Sequence, residues 1–279
     1  MRPLLFDAEL DKRGLRATGI SFDINYARPH TFALEADKSY EACVQLGVST
    51  NTGDREGREL QRRTVVASDA QIEQALAGLR GEIQQTPPMY SAIKKDGKAL
   101  YKYAREGIEI ERAERSVFIY ALELIVRRDT EIDITVTCSK GTYIRVLAQD
   151  IGKRLGCGAH LHALRRTGSG ALILDAACTL DELATLDEAG RDARLQAADV
   201  LLADAPLLRL PAAAAARFLG GVRIRIDQPD APLLRVYGPQ SRAFLGSAHV
   251  AAGELISHRL LSPAEVQGLL DSHTLKLTP

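Results

Sequence analysis

The chain has 279 residues, a mass of 30.4 kDa, 46% hydrophobic and 26% charged residues, and a formal net charge of zero. Those values describe an ordinary globular protein of one or two domains. They exclude a bilayer-spanning helix, since no apolar run approaches about 18 residues, and MRPLLFDAEL at the N-terminus is no secretory signal.

Residues 1–37 show no sustained period and read as an atypical N-terminal segment. From Tyr40 the signals sharpen, and YEACVQLGV has the composition of a strand. Ser68 and Gln71 form a capping box ahead of Ile72, Leu76 and Leu79, which predicts a helix over 69–79. Leu100, Tyr101 and Ala104 fit a short helix. SVFIYALELIV (116–126) reads as a buried strand, and the alternation of Ile132, Ile134, Val136 and Cys138 as a half-buried one. From about Thr142 a helix should present Ile144, Leu147, Ala148, Ile151 and Leu155 on one face, ending at Gly156. Thr179 and Glu182 form a second capping box, opening an acidic helix.

The texture changes after about residue 206. A short Ala-rich helix over 211–219 precedes VRIRI, LLRVYG, AFLGSAHV and ELISHRLL at about ten-residue spacing, which reads as a small β-barrel. Ser262 and Pro263 cap a final helix. The expected domains are therefore 1–37, 38–204 and 205–279.

Charge is distributed unevenly. Residues 1–167 carry 26 Lys and Arg against 23 Asp and Glu, residues 168–204 carry 2 against 8, and residues 205–279 carry 8 against 5. An acidic connector thus hides two mildly basic bodies, which permits an RNA partner. Four cysteines without a CxxC pair argue against a disulfide scaffold or a structural zinc site and make a reducing cytoplasm the expectation.

Two segments carry the chemistry. In residues 86–110, Lys94, Lys95, Lys98, Lys102 and Arg105 alternate with Tyr90, Tyr101 and Tyr103. Cations neutralise phosphates and tyrosines stack on bases. The plainer reading is a solvated, lysine-rich turn before an amphipathic helix. In residues 138–166, six Lys and Arg (Lys140, Arg145, Lys153, Arg154, Arg165 and Arg166) accompany the single acid Asp150. Lys140–Gly141–Thr142 joins a strand to a helix, where backbone N–H groups favour an anion. Tyr143 and Arg145 follow in the first helical turn, as site residues or as a core aromatic and a surface cation. His160 and His162 read as packing or RNA-facing residues rather than metal ligands. HExxH, GxSxG and P-loop motifs are absent.

These segments resemble the bacterial tRNA pseudouridine-55 synthases, the TruB family. Its D-K-x-Y is matched by Asp37-Lys38-Ser39-Tyr40, its long P-P-x-x-S-A run by Pro87 to Gly107, its S-K-G-T-Y-I-R by Ser139 to Arg145, and its G-x-x-L-x-x-L-R-R by Gly158 to Arg166. The resemblance implies an α+β fold: a mixed, mostly antiparallel central sheet with flanking helices, followed by a PUA-like RNA-binding module. The strands near 40–47, 116–126 and 131–138 should share one sheet.

The resemblance further implies isomerisation of a T-loop uridine in tRNA to pseudouridine, without metal or cofactor, by a monomer. Tyr40 would pack against the flipped base, Tyr143 would form a second wall and transfer protons, and Leu164 would complete the pocket. Arg145 would orient an essential aspartate, Lys140 and the 94–105 cluster with Lys94 would hold the phosphate backbone, and Arg165 would be a further RNA-binding residue. The family carries that aspartate in G-H-T-G-x-L-D-P-x-A-T-G, which this sequence does not contain. Because RPLLFDAELDK resembles the family segment that follows that loop, the loop is expected upstream of Met1. A weaker echo, Leu10-Asp11 with Ala17-Thr18-Gly19, makes Asp11 the nucleophile candidate ahead of Asp7 and Asp23. Arg145 would then lack its partner and the pocket would be loosened. The alternative to an isomerase is a non-catalytic tRNA-binding protein of the same descent.

Overall fold

The computed structural model describes residues 36–271 apart from residues 195, 198 and 242. The chain forms two compact units that divide at Leu180 and Asp181.

The first unit contains β1 (Lys38–Leu46), β2 (Val48–Thr50), β3 (Glu59–Arg62), α1 (Asp69–Ala77), β4 (Gly81–Gln85), β5 (Lys94–Lys95), β6 (Lys98–Ala99), α2 (Leu100–Arg105), β7 (Arg115–Arg128), β8 (Glu131–Cys138), α3 (Ile144–Arg154), β9 (Ala159–Ser169) and β10 (Leu172–Ile173). Its main sheet runs β10-β9-β1-β8-β7-β4, with antiparallel pairing throughout. The strands expected near 40–47, 116–126 and 131–138 do share this sheet. The β8 alternation sends Ile132, Ile134, Val136 and Cys138 into the core. Ala42, Val44 and Leu46 join them from β1, and Ile119 and Leu122 from β7.

Two helices cover that face. The Ser68–Gln71 capping box starts α1, whose Ile72 and Leu76 are fully buried. The 3.6-residue stripe of α3 buries Ile144, Leu147, Ala148 and Ile151, and Gly156, at φ +73°, ends it as expected. The approach of α3 to β9 is set by Gly152. A Cβ there would lie 2.2 Å from the Ala159 nitrogen and 2.3 Å from the Gly158 carbonyl carbon.

The second unit follows α4 (Leu180–Thr185), which begins at the division, and holds α5 (Glu188–Asp192), β11 (Leu207–Arg209), α6 (Ala212–Leu219), β12 (Ile224–Arg225), β13 (Ala231–Tyr237), β14 (Phe244–Ala251), β15 (Glu254–Leu260) and α7 (Pro263–Asp271). Its five strands form one sheet, β11-β13-β14-β15-β12, in which only the β11–β13 pairing is parallel. Phe218 of α6, Val236 and Leu255 sit at the centre of its core. The end of the acidic connector packs with this unit. Buried Asp199 accepts hydrogen bonds from the Tyr237 hydroxyl at 2.7 Å and from Arg235 Nη1 at 3.0 Å. Burial and the adjacent Asp199 carboxylate push the Tyr237 phenol well above its ordinary range. The readings made of residues 1–35 lie outside the described residues.

Gly152→Ala sets two effects against each other. Alanine favours a helix interior by about 1 kcal/mol, whereas overpacking against rigid backbone costs about 1–3 kcal/mol. Because both contacts are backbone, the second term should lie at the upper end of its range and win, and urea unfolding should show a net loss of about 2 kcal/mol. Unchanged or raised stability would refute the close-approach reading.

Candidate active site

The site is built where β8 turns into α3. Gly141 takes φ +79°, a conformation open to glycine at little cost, and Thr142 Oγ1 donates to the Ser139 carbonyl at 2.9 Å. Tyr143 is the N-cap of α3, with no side-chain capping bond of its own. Its backbone is held instead by Gln85 at the end of β4. The Tyr143 N–H donates to Gln85 Oε1 at 3.0 Å, and Gln85 Nε2 donates to the Tyr143 carbonyl at 3.4 Å.

Arg145, one residue into α3, points at the loop between β2 and β3. Its Nη1 donates to Asp54 Oδ2 at 3.0 Å and to the Thr52 carbonyl at 3.5 Å, and its Nη2 donates to the Tyr90 carbonyl at 2.6 Å. The expectation that Arg145 is left unpaired is therefore corrected, although its carboxylate, Asp54, is none of the aspartates considered for the essential role. The β2–β3 loop supplies the carboxylate and the Thr52 carbonyl, and the segment after β4 supplies the Tyr90 carbonyl, so three acceptors meet the planar guanidinium. The side chains of Arg145 and Asp54 are only 19% and 10% exposed, so the pair is largely withdrawn from water.

Asp54 is itself fixed. Its Oδ1 accepts from Thr52 Oγ1 at 2.7 Å and from the Glu56 N–H at 3.2 Å. Thr50 Oγ1 donates to its carbonyl at 2.7 Å. The loop is strapped to β9 by backbone bonds from Arg55 N–H to the Leu161 carbonyl and from Leu161 N–H to the Gly53 carbonyl, both 3.0 Å. Gly53, at φ +77°, lies against the Gln149 side chain, where a Cβ would come within 3.0 Å.

The remaining predicted residues fall into separate groups. Tyr40 and Leu164 share the core-facing side of the sheet: Tyr40 lies opposite Arg166, and Ala42 opposite Leu164. Tyr40 is 8% exposed, with the Arg166 guanidinium 5.5 Å from its ring centre. Arg165 points to the other side, where its Nη1 is 3.8 Å from Glu41 Oε2. It lines a groove there with Cys43, Asp133 and His162, apart from Tyr40 and Leu164.

Lys94 is exposed on the β5–β6 hairpin. In the same cluster, Lys98 is paired with Glu106 at 2.5 Å and lies over the Tyr103 ring. Lys140 is exposed on the turn before α3. His160 is buried and bonds the Val48 carbonyl through Nδ1 at 2.9 Å, a packing role. Asp11, Asp7 and Asp23 lie outside the described residues.

Sequence reasoning missed Asp54 and Gln85. The run Thr50-Asn51-Thr52-Gly53-Asp54 does announce a hydrogen-bonded turn, but nothing local in it points toward Arg145, 91 residues away.

Three domain models of one family match the chain in succession: the N-terminal domain of TruB family pseudouridylate synthases at residues 24–144, the tRNA pseudouridylate synthase B C-terminal domain at 145–203, and the C-terminal domain of pseudouridine synthase II TruB at 206–261. The chain belongs to the TruB family. Proteins named tRNA pseudouridine synthase B share 54% identity over 197 residues in Burkholderia lata, covering 71% of this chain and 61% of that protein. In Burkholderia mallei the identity is 53% over 195 residues, covering 70% and 65%. In Cupriavidus taiwanensis it is 52% over 194 residues, covering 68% and 62%. The match thus spans less than two thirds of each relative's length.

Among solved structures, a chain of a Cbf5-Nop10-Gar1 complex superposes with a TM-score of 0.58 at 21% identity, covering 87% of this chain and 64% of that one. A chain of an H/ACA RNP bound to a substrate RNA superposes with a TM-score of 0.61 at 17% identity, covering 85% and 69%. Both share the fold with this TruB family member.

Removing one partner of a withdrawn ion pair strands the other charge. Asp54→Ala should therefore lower unfolding stability by about 3 kcal/mol, read by urea titration. A loss below about 0.5 kcal/mol, the size expected of an exposed pair, would show that Arg145 does not depend on this carboxylate.

Proposed function

We propose that this chain acts on tRNA as a pseudouridine synthase, converting a uridine of the T-loop, position-55 type, to pseudouridine. The observation that carries the reading is Arg145, held by Asp54 and two carbonyls two residues after Tyr143, at a strand-to-helix junction of a TruB family chain. The reaction breaks the N1–C1′ bond, turns the base, forms C5–C1′ and moves the C5 proton off while N1 gains one. Its atoms balance without an external reactant.

The uridine must leave its stack to be reached. In this reading Tyr40 and Leu164 wall the base, and Tyr143 forms a second wall and takes the C5 proton. Arg145 holds a carboxylate in a fixed direction through charge-assisted, planar contacts. Lys140, Lys94 and Arg165 meet phosphates. The nucleophile role of Asp11 rests on sequence alone. The same reading makes the protein a cytoplasmic monomer.

One observation favours a second reading, a tRNA-binding protein without catalysis. Among the described residues, the carboxylate at Arg145 is Asp54, and both of its oxygens are engaged.

Tritium release from tRNA labelled at uridine C5, measured with binding in parallel, separates the two. An isomerase releases tritium, and Tyr143→Phe slows release by about a hundredfold or more, the range of a lost proton-transfer group. Binding without release would establish the second reading. Absence of both would overturn the RNA reading altogether.

A further inference from the structure

Gln85 is a charge-neutral residue that is almost fully buried, at 2% exposure, at the floor of a groove it lines with Thr52 and Gln149. Its side-chain amide nevertheless makes a two-way bond to one residue, accepting from the Tyr143 N–H and donating to the Tyr143 carbonyl. That carbonyl also accepts the first helical bond of α3, from the Leu147 N–H at 3.0 Å. An amide facing an amide in this way fixes the rotation of the peptide units on both sides of Tyr143. No side chain at the α3 N-terminus does this job, because the N-cap has no side-chain capping bond.

Gln85 is in turn immobilised. It ends β4, paired to Arg115 of β7, and Pro87 and Pro88 follow two residues later. The next segment brings the Tyr90 carbonyl to Arg145 Nη2. One stretch of chain, residues 85–90, therefore holds both the backbone of Tyr143 and the guanidinium of Arg145.

We infer that Gln85 is a positioning residue, setting the direction of the Tyr143 ring through its backbone and so the alignment of the first turn of α3 for the isomerisation. The inference rests on the functional reading above for its catalytic part, and on the geometry alone for its structural part. Misalignment of an ångström at a reacting centre costs about a hundredfold in rate. A residue that neither touches substrate nor carries charge should therefore change turnover while leaving tRNA affinity in place.

The experiment compares wild type, Gln85→Met and Gln85→Glu in the full chain. The first measurement is hydrogen exchange of the Tyr143 amide in protein with isotope-labelled tyrosine. Gln85→Met should lose about tenfold or more of its protection, and unchanged protection would overturn the inference. The second is single-turnover tritium release beside tRNA binding. Gln85→Met should slow release about tenfold or more, with the dissociation constant unchanged within about threefold.

Gln85→Glu should recover part of the rate. Its acid form keeps one donor and one acceptor and its ionised form only acceptors, so its rate relative to wild type should rise as pH falls. An unchanged rate in Gln85→Met, or equal losses of rate and affinity, would overturn the positioning role. If Gln85→Met fails to fold, Gln85→Glu decides through its rate, since it keeps the acceptor for the Tyr143 N–H and loses only the donor on ionising: a rate relative to wild type that does not change with pH would then overturn the inference. A wild type that binds tRNA but releases no tritium sinks the functional reading instead, and the Tyr143 exchange result alone then decides the inference.

Discussion

A guanidinium withdrawn from water must be met by a carboxylate and by enough acceptors for its remaining protons. Much of the local geometry of the first unit follows from how that demand is answered at Arg145. The answer is assembled from three parts of the chain: Asp54 and the Thr52 carbonyl from the β2–β3 loop, the Tyr90 carbonyl from the segment after β4, and the first turn of α3. Each part is anchored elsewhere, by the straps to Leu161, by β4 pairing and by the α3 core stripe. Moving any one would strand a buried charge, so the three are held in a common register.

This arrangement fixes a cation in the first turn of α3 and the backbone of an aromatic residue at its N-cap, where β8 turns into the helix. Preorganisation of this kind is what chemistry on an extruded base needs, since the groups must already point at the reacting atoms when the base arrives. The sheet of the second unit and the Asp199–Arg235–Tyr237 network have their own core.

Local patterns carried much of the fold. Ser68 and Gln71 announced α1, the alternation in 132–138 announced β8, and the stripe from Ile144 to Leu155 announced α3 with its glycine stop. Each is a short-range rule, of capping, pleat or helical period, that tertiary context reinforced. The same stretch marked Tyr143 and Arg145 as neighbours in a basic strand-to-helix junction. What local reasoning could not supply was partnership across the chain. Asp54 looks like a turn residue in sequence, and Gln85 like the polar end of a short strand. Each acquires its role only when β4, α3 and the loop strapped to β9 converge. Arg165 and Leu164 show the same limit in reverse: they are adjacent in the G-x-x-L-x-x-L-R-R run, yet the pleat of β9 sends them to opposite faces.

The convergence of the loop, the segment after β4 and α3 requires that Asp54 and Arg145 act as one unit. A double-mutant cycle on unfolding free energy, built from Asp54→Ala, Arg145→Met and the double variant, tests this directly. A coupled pair predicts that the double variant is markedly more stable than the sum of the single losses implies, with a coupling energy of about 2 kcal/mol or more. Additive losses within about 0.5 kcal/mol would contradict it and leave Arg145 an ordinary surface cation beside an ordinary turn.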